Sequence, residues 1–333
     1  MIIDQHASRL RPPVSLFVAL LSALLFTGCG GGCAGGGGGA SKLIDKLPAA
    51  ANGVVLVDLD SFLSTELRQQ VKDVASEQGA DVSKIPDWAM KLKAFAVIGN
   101  WTAVKGAEPS VAMVLTGDFD AAVVAKELEA LIGKEVKVEP LGKDAVAIGK
   151  GMMFGATTAA WSGKGDAMEK NAELYALLGK VDRGATFVMA GQGVKALGDA
   201  PFVDDVALSY DLSDGLAIKA WAKGEAAMFK KAEEALPMLK MGAAMLDKDR
   251  LAPMMSQMPG IDPAQLDALV EGVKEFIDSV KLTVSDDTIA VSGSTSFDVK
   301  AFLPTAIAGM GSAFSTYMKR AQQAPTLDKT DKL

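Results

Sequence analysis

Apolar positions along this chain recur with two periods, and acidic or glycine-containing turns separate the segments that carry them. Val54, Val55, Leu56, Val57 and Leu59 follow the turn signal Asn52-Gly53 and predict a buried strand. Leu63, Leu67, Val71 and Val74 then recur at helical spacing, with Gly79 as the stop. Phe95–Ile98 and residues 111–117 predict two further strands. Short alternating segments flanking a turn predict three hairpins: Val136–Val138 with Asp144–Ile148, Val206–Tyr210 with Leu216–Trp221, and Leu282–Val284 with Thr288–Val291. Apolar residues three and four apart predict helices over about 167–178, 225–246, 262–280 and 298–320.

One pattern recurs in residues 110–131, 216–236 and 288–307. Each reads as a strand, a glycine-containing turn, an acidic or Phe-Asp start and an amphipathic helix. Hairpins interrupted by long helices define an α+β class, an antiparallel sheet with amphipathic helices packed against it. The repetition suggests two similar halves, 42–180 and 181–322, which either share one sheet or pack as two lobes. Residues 323–333 are polar and read as a disordered tail.

The N-terminal region has a different organisation. Arg9 and Arg11 precede Val14–Phe26, a run of 13 residues without charge. A membrane-spanning helix needs roughly 20 apolar residues, so this run has the length of a signal-peptide core. Phe26-Thr27-Gly28-Cys29 then resembles the lipobox of bacterial lipoproteins, with Phe26 at the position usually held by Leu. The resemblance covers only the leader. It implies that residues 1–28 are a signal peptide, removed before Cys29, and that Cys29 is the lipidation site, carrying a thioether-linked diacylglycerol. Residues 29–41 are then a lipid-anchored, glycine-rich tether with almost no side chains to pack.

Charge and composition narrow the chemistry. The chain carries a formal charge of −7; removing residues 1–28, with two Arg and one Asp, leaves −8. An acidic chain without a basic patch lacks the electrostatic footprint of a nucleic-acid binder. The single histidine, His6, lies in the leader, so a processed chain has no imidazole for a catalytic triad or a histidine metal site. Cys29 and Cys33 both lie in the glycine stretch. No GxSxG, SxxK or GxxxxGK[ST] motif occurs, and Gly149-Lys-Gly-Met-Met-Phe-Gly155 has the wrong spacing for a dinucleotide loop and reads as part of a strand pair.

Three groups of side chains invite a functional reading. The acid pairs Asp58/Asp60, Asp118/Asp120, Asp204/Asp205 and Asp286/Asp287 offer oxygen ligands, but Asp60 and Asp118 fall where helix N-caps belong and Asp286/Asp287 fall in a hairpin turn. Met238, Met241, Met245, Met254, Met255 and Met258 cluster. The spacing of the first three suits a helix packed on a core; an apolar-ligand or partner groove and a Cu(I) site are the competing readings. Trp88, Trp101, Trp161 and Trp221 are scattered and read as packing residues.

The sequence therefore predicts a lipid-anchored envelope protein, non-catalytic, that works as a binding or scaffold module without cofactor, metal or catalytic residues. Its partners are the membrane, through the lipid on Cys29, and an envelope protein or a lipid, with nucleic acid excluded. The expected location is the bacterial cell envelope, at the outer rather than the inner membrane, facing the periplasm or the cell surface. The alternatives are a periplasmic carrier of lipid or another apolar ligand and a carboxylate-dependent hydrolase of envelope polymers.

Overall fold

The computed structural model describes residues 39–61, 63–77, 86–100, 110–132, 135–197, 201–245 and 263–298. The leader with Cys29, Trp101, Met254, Met255, Met258, the expected helix over 298–320 and the tail lie outside these residues.

The first half begins with helix α1 (Gly39–Ile44), which starts inside the stretch assigned to the tether, and strand β1 (Gly53–Asp58). Helix α2 (Thr65–Glu77) follows, then β2 (Leu92–Asn100), β3 (Ser110–Gly117), helix α3 (Ala121–Ile132), β4 (Lys137–Pro140) and β5 (Ala145–Gly149). Helices α4 (Gly151–Trp161) and α5 (Ala172–Leu178) lead into β6 (Phe187–Gly191), β7 (Val203–Asp211) and β8 (Leu216–Gly224). The chain ends, among the described residues, with helices α6 (Ala226–Ala244) and α7 (Pro263–Ser279) and strands β9 (Lys281–Ser285) and β10 (Thr288–Thr295). The class is α+β, as the alternating patterns predict.

All ten strands join one antiparallel sheet in the order β4-β5-β3-β2-β1-β6-β7-β8-β10-β9. Strands 1-2-3-5-4 and 6-7-8-10-9 thus repeat one arrangement, joined back to back through β1 and β6. The correspondence holds residue by residue. Val55 pairs with Val97, Val97 with Met113, Met113 with Ile148 and Ile148 with Val138. In the other half Met189 pairs with Leu208, Leu208 with Ala220, Ala220 with Val291 and Val291 with Leu282. Even the register irregularity recurs, between Leu92 and Ala94 and between Val203 and Asp205. An approximate twofold axis passes between Val55 and Met189, which are partners across β1 and β6.

This symmetry extends to the helices that precede β1 and β6. Leu43, Ile44, Leu47 and Ala51 are buried, and so are Leu177, Leu178, Val181 and Ala185 at the same offsets before the partner strand. Lys46 lies over the Trp161 ring at 4.6 Å and its counterpart Lys180 over the Trp221 ring at 5.5 Å. Asn171 caps α5 by accepting from Leu174 N and donates from Nδ2 to Ala49 O and Ala51 O, which ties the two helical segments together.

The two faces of the sheet are used differently. One face carries Val54, Leu56, Ala94, Ala96, Ile98, Ala112 and Val114 and is covered by α1, α4 and α5. The opposite face carries Val57, Phe95, Leu115, Val146 and Ile148 under α3, through Ala121, Val124, Ala125 and Leu128. In the second half the face under α5 is buried on β6 and β7, at Val188, Ala190 and Ala207, whereas on β8, β9 and β10 the opposite face is the apolar one. Phe276 of α7 and Val280, just after it, pack against Gly293, and Ile218, Ala220, Ile289, Val291, Leu282 and Val284 share that half-buried face. On the other face, where the first half buries Ala112, Val114, Ala145 and Ala147, the second places Lys219, Trp221, Thr288 and Ala290.

Two sequence readings are corrected here. Gly149–Gly155 does not continue a strand pair: Gly151 takes a φ of +71°, turns the chain out of the sheet and starts α4, where Ser110 Oγ accepts from Met153 N. The segment is apolar on every side, so periodicity could not separate helix from strand. The three strand-turn-helix units are not three equivalent copies either. Residues 110–131 and 216–236 do correspond, since Gly117 and Gly224 occupy matching positions, but β10 corresponds to β5, not to β3.

Candidate functional site

Most of the paired aspartates are engaged locally, whereas Asp204 is exposed at the surface. Asp58 ends β1 and is 2% exposed; its Oδ1 accepts from Ser61 N, and Ser61 Oγ lies 2.8 Å from Asp58 O and 3.0 Å from Thr186 Oγ1. Asp211 ends β7; its Oδ1 accepts from Thr186 Oγ1 and Ser213 N, and its Oδ2 from Ser213 Oγ at 2.7 Å. Both carboxylates thus stabilise the turn that follows their strand, with Thr186 between them. Asp205 Oδ1 accepts from Gly193 N, and Asp286 adopts the left-handed backbone (φ 45°) of the β9–β10 turn.

The capping assignments shift by a few residues. Asp120, not Asp118, caps α3, accepting from Ala122 N and Val123 N, and Ser64 Oγ, not Asp60, accepts from Leu67 N in α2. Asp118 instead pairs with Lys93 at 2.7 Å, which raises the Lys93 pKa above its ordinary value chiefly through that hydrogen bond. Asp60 accepts from Arg68 at 2.9 Å. The Arg68 guanidinium also donates to Leu63 O, Met90 O and Leu92 O, stitching α2 to β2. Burial lowers its pKa in spite of the neighbouring Asp60. Among the described residues no group of three or more His, Cys, Asp or Glu is placed to hold a metal ion.

A cleft of about 660 Å³ opens between α3 and β4, lined by Ala130, Val136, Val138 and Phe154 and rimmed by Lys126 and Glu139. Its charges lie beside its apolar residues, with Glu129 and Lys137 also in the wall. Trp88 is buried edge-on against Phe119, 6.5 Å between ring centres, and its Nε1 has no hydrogen-bond partner among the described residues.

The surface that departs most from expectation is the outer side of α6. Met238, Met241 and Met245 are 67%, 64% and 62% exposed, and Leu239 is 52% exposed. The core reading of these methionines is therefore wrong. What packs is a second stripe of the same helix, Phe229, Leu236 and Ala243, spaced seven residues apart. At 100° per residue the methionines point to the side opposite that stripe. Lys240 is the only charged residue between Glu234 and the helix end, and its amine is drawn away to donate to Asp278 O of α7 at 3.0 Å. The outward side of the last turns is therefore apolar, whereas the first turns show Lys230, Lys231, Glu233 and Glu234. The spacing i, i+3, i+7 identified an apolar stripe correctly but could not say which of two stripes faced the sheet.

No family model and no curated protein matches this sequence. Among solved structures the chain is similar to TP0453 in two crystal forms. Form III shows 7% identity at a TM-score of 0.36, covering 79% of this chain and 97% of that one. Form I shows 5% identity at a TM-score of 0.35, covering 79% and 96%. No described helix is long and apolar enough to cross a membrane.

Proposed function

We propose that this chain is a lipid-anchored protein of the bacterial envelope, at the outer membrane, that acts by binding and not by catalysis. Support for the anchor comes from the leader, from Cys29 and from the glycine stretch behind it. The observation that carries the binding role is the exposed ridge of Met238, Met241 and Met245. Contiguous apolar surface on a folded domain marks an interaction site, and flexible thioethers adapt to uneven partners. Two of the most buried strand-end acids are held in turns: Asp58 and Asp211 each hold the turn behind their strand. An apolar-ligand carrier would need an enclosed greasy cavity, and the cleft beside α3 is rimmed by charge.

Metabolic labelling with palmitate tests the anchor. The wild-type chain should be labelled and recovered with membranes, and a Cys29→Ser chain should be unlabelled. Label that persists in Cys29→Ser would refute it.

A further inference from the structure

We infer that the outer side of α6 seats on the surface of the phospholipid bilayer to which the chain is anchored. This rests on the anchored reading above and names the partner of its exposed ridge. The ridge is narrow: three methionine side chains on the last turns of one helix. A stable protein interface buries about 800 Å² on each partner, more than three side chains present, so a second copy of this chain would find too little to hold. A bilayer makes no such demand. Each side chain inserts on its own, no complementary shape is needed, and a lipid anchor has already brought the domain to the surface, so a small contact suffices.

Charge selects the kind of bilayer contact. With a formal charge of −8 after residue 28 the chain gains nothing from anionic headgroups. The methionine side of the last turns carries no charged residue, because Lys240 lies at least 100° round the helix and donates to Asp278 O. Contact therefore proceeds by side-chain insertion among zwitterionic headgroups, with Glu234 one turn and Lys230 and Lys231 about two turns back along the helix, all exposed and able to extend into water. The glycine stretch fits this geometry. α1 packs on the face opposite to α7, the helix on which α6 rests. A domain held rigidly at Gly39 could not turn α6 to the membrane, whereas residues 30–38 extend to about 30 Å.

The test uses the full acylated chain in phosphatidylcholine vesicles, with Cys33→Ser and one new cysteine carrying an environment-sensitive fluorophore. At Met241→Cys the emission should shift to the blue on vesicles and be quenched severalfold more by spin-labelled lipids than at Lys170→Cys, an exposed site next to α5. Replacing Met238 and Met245 by serine in the Met241→Cys chain should abolish that difference while the chain stays on the vesicles. Equal quenching at the two sites would overturn the inference. So would a blue shift without quenching by lipid, which would mean that another protein surface covers the ridge. If Cys29 proves unacylated, the anchored reading fails; if it is acylated and the label at residue 241 stays in water, only this inference fails.

Discussion

Val55 and Met189 face each other across β1 and β6, and each occupies the same position in its own half of the sheet. From that pair outward the two halves match strand by strand, including one register irregularity apiece. Antiparallel neighbours related by a twofold axis normal to the sheet present the same face, so corresponding helices lie on the same side. The symmetry allows one half to be tested against the other.

Gly117 and Gly224 end corresponding strands, β3 and β8. A Cβ at Gly117 would strike Lys91 O, and one at Gly224 would strike Phe202 O, both of them backbone atoms that cannot swing away. Gly117→Ala and Gly224→Ala should each cost about 1–3 kcal/mol, the usual range for overpacking, measured by urea denaturation. A neutral effect at one site and a loss at the other would show that the two irregularities are not equivalent.

Arg68 joins α2 to β2 through three carbonyls, and its side chain is 11% exposed against 50% for Asp60. Removing the guanidinium strands those acceptors, so Arg68→Ala should lose about 1–3 kcal/mol. Arg68→Lys should not restore it, because an ammonium cannot reproduce the planar fork. Asp60→Asn should cost less than about 1 kcal/mol, as an exposed ion pair does. An Asp60→Asn loss equal to that of Arg68→Ala would place the stabilisation in the ion pair and not in the carbonyls.

Glu275 of α7 fastens the end of β10, accepting from Thr295 Oγ1 at 2.7 Å and from Ser296 N and Oγ. These bonds, that from Thr295 foremost, hold its pKa below the ordinary 4.5. A carboxylate with a lowered folded pKa stabilises above its ordinary value and loses that contribution as pH falls through the folded one. Glu275→Gln should therefore melt below the parent at neutral pH, and the gap should close as pH drops below 4.5. A gap that stays constant down to strongly acid pH would show that the charge contributes nothing.

Ile44 before β1 and Leu178 before β6 are 1% and 0% exposed at corresponding positions. Each substitution by alanine should cost about 2–5 kcal/mol. Deleting residues 30–38, which stop short of α1, should change stability by less than about 0.5 kcal/mol, the range of ordinary surface changes. A larger loss on deletion, read from thermal melts, would mean that the glycine stretch packs against the domain.

Much of the sheet was legible because its signals are local. Alternation with a short turn marks a hairpin wherever it falls, and β4–β5, β7–β8 and β9–β10 all sit where the pattern placed them. Helices α6 and α7 announced themselves by apolar residues at helical spacing. Strand β6 was missed, since Phe187–Gly191 is short, largely buried and ends in Ala190-Gly191, with no alternation to read. Helix α4 was missed because Gly151–Trp161 is apolar all round.

What the sequence determined by itself was therefore the class of fold and most of its elements. Strand order, the twofold relation of the halves and the direction in which α6 turns its methionines were decided only in three dimensions. The reason is physical. A helix with two apolar stripes, Phe229–Leu236–Ala243 and Met238–Met241–Met245, has nothing local to choose between them. The choice falls to whatever the rest of the chain places beside it, and α7 with the half-buried face of β8, β9 and β10 lies beneath one stripe and leaves the other outside.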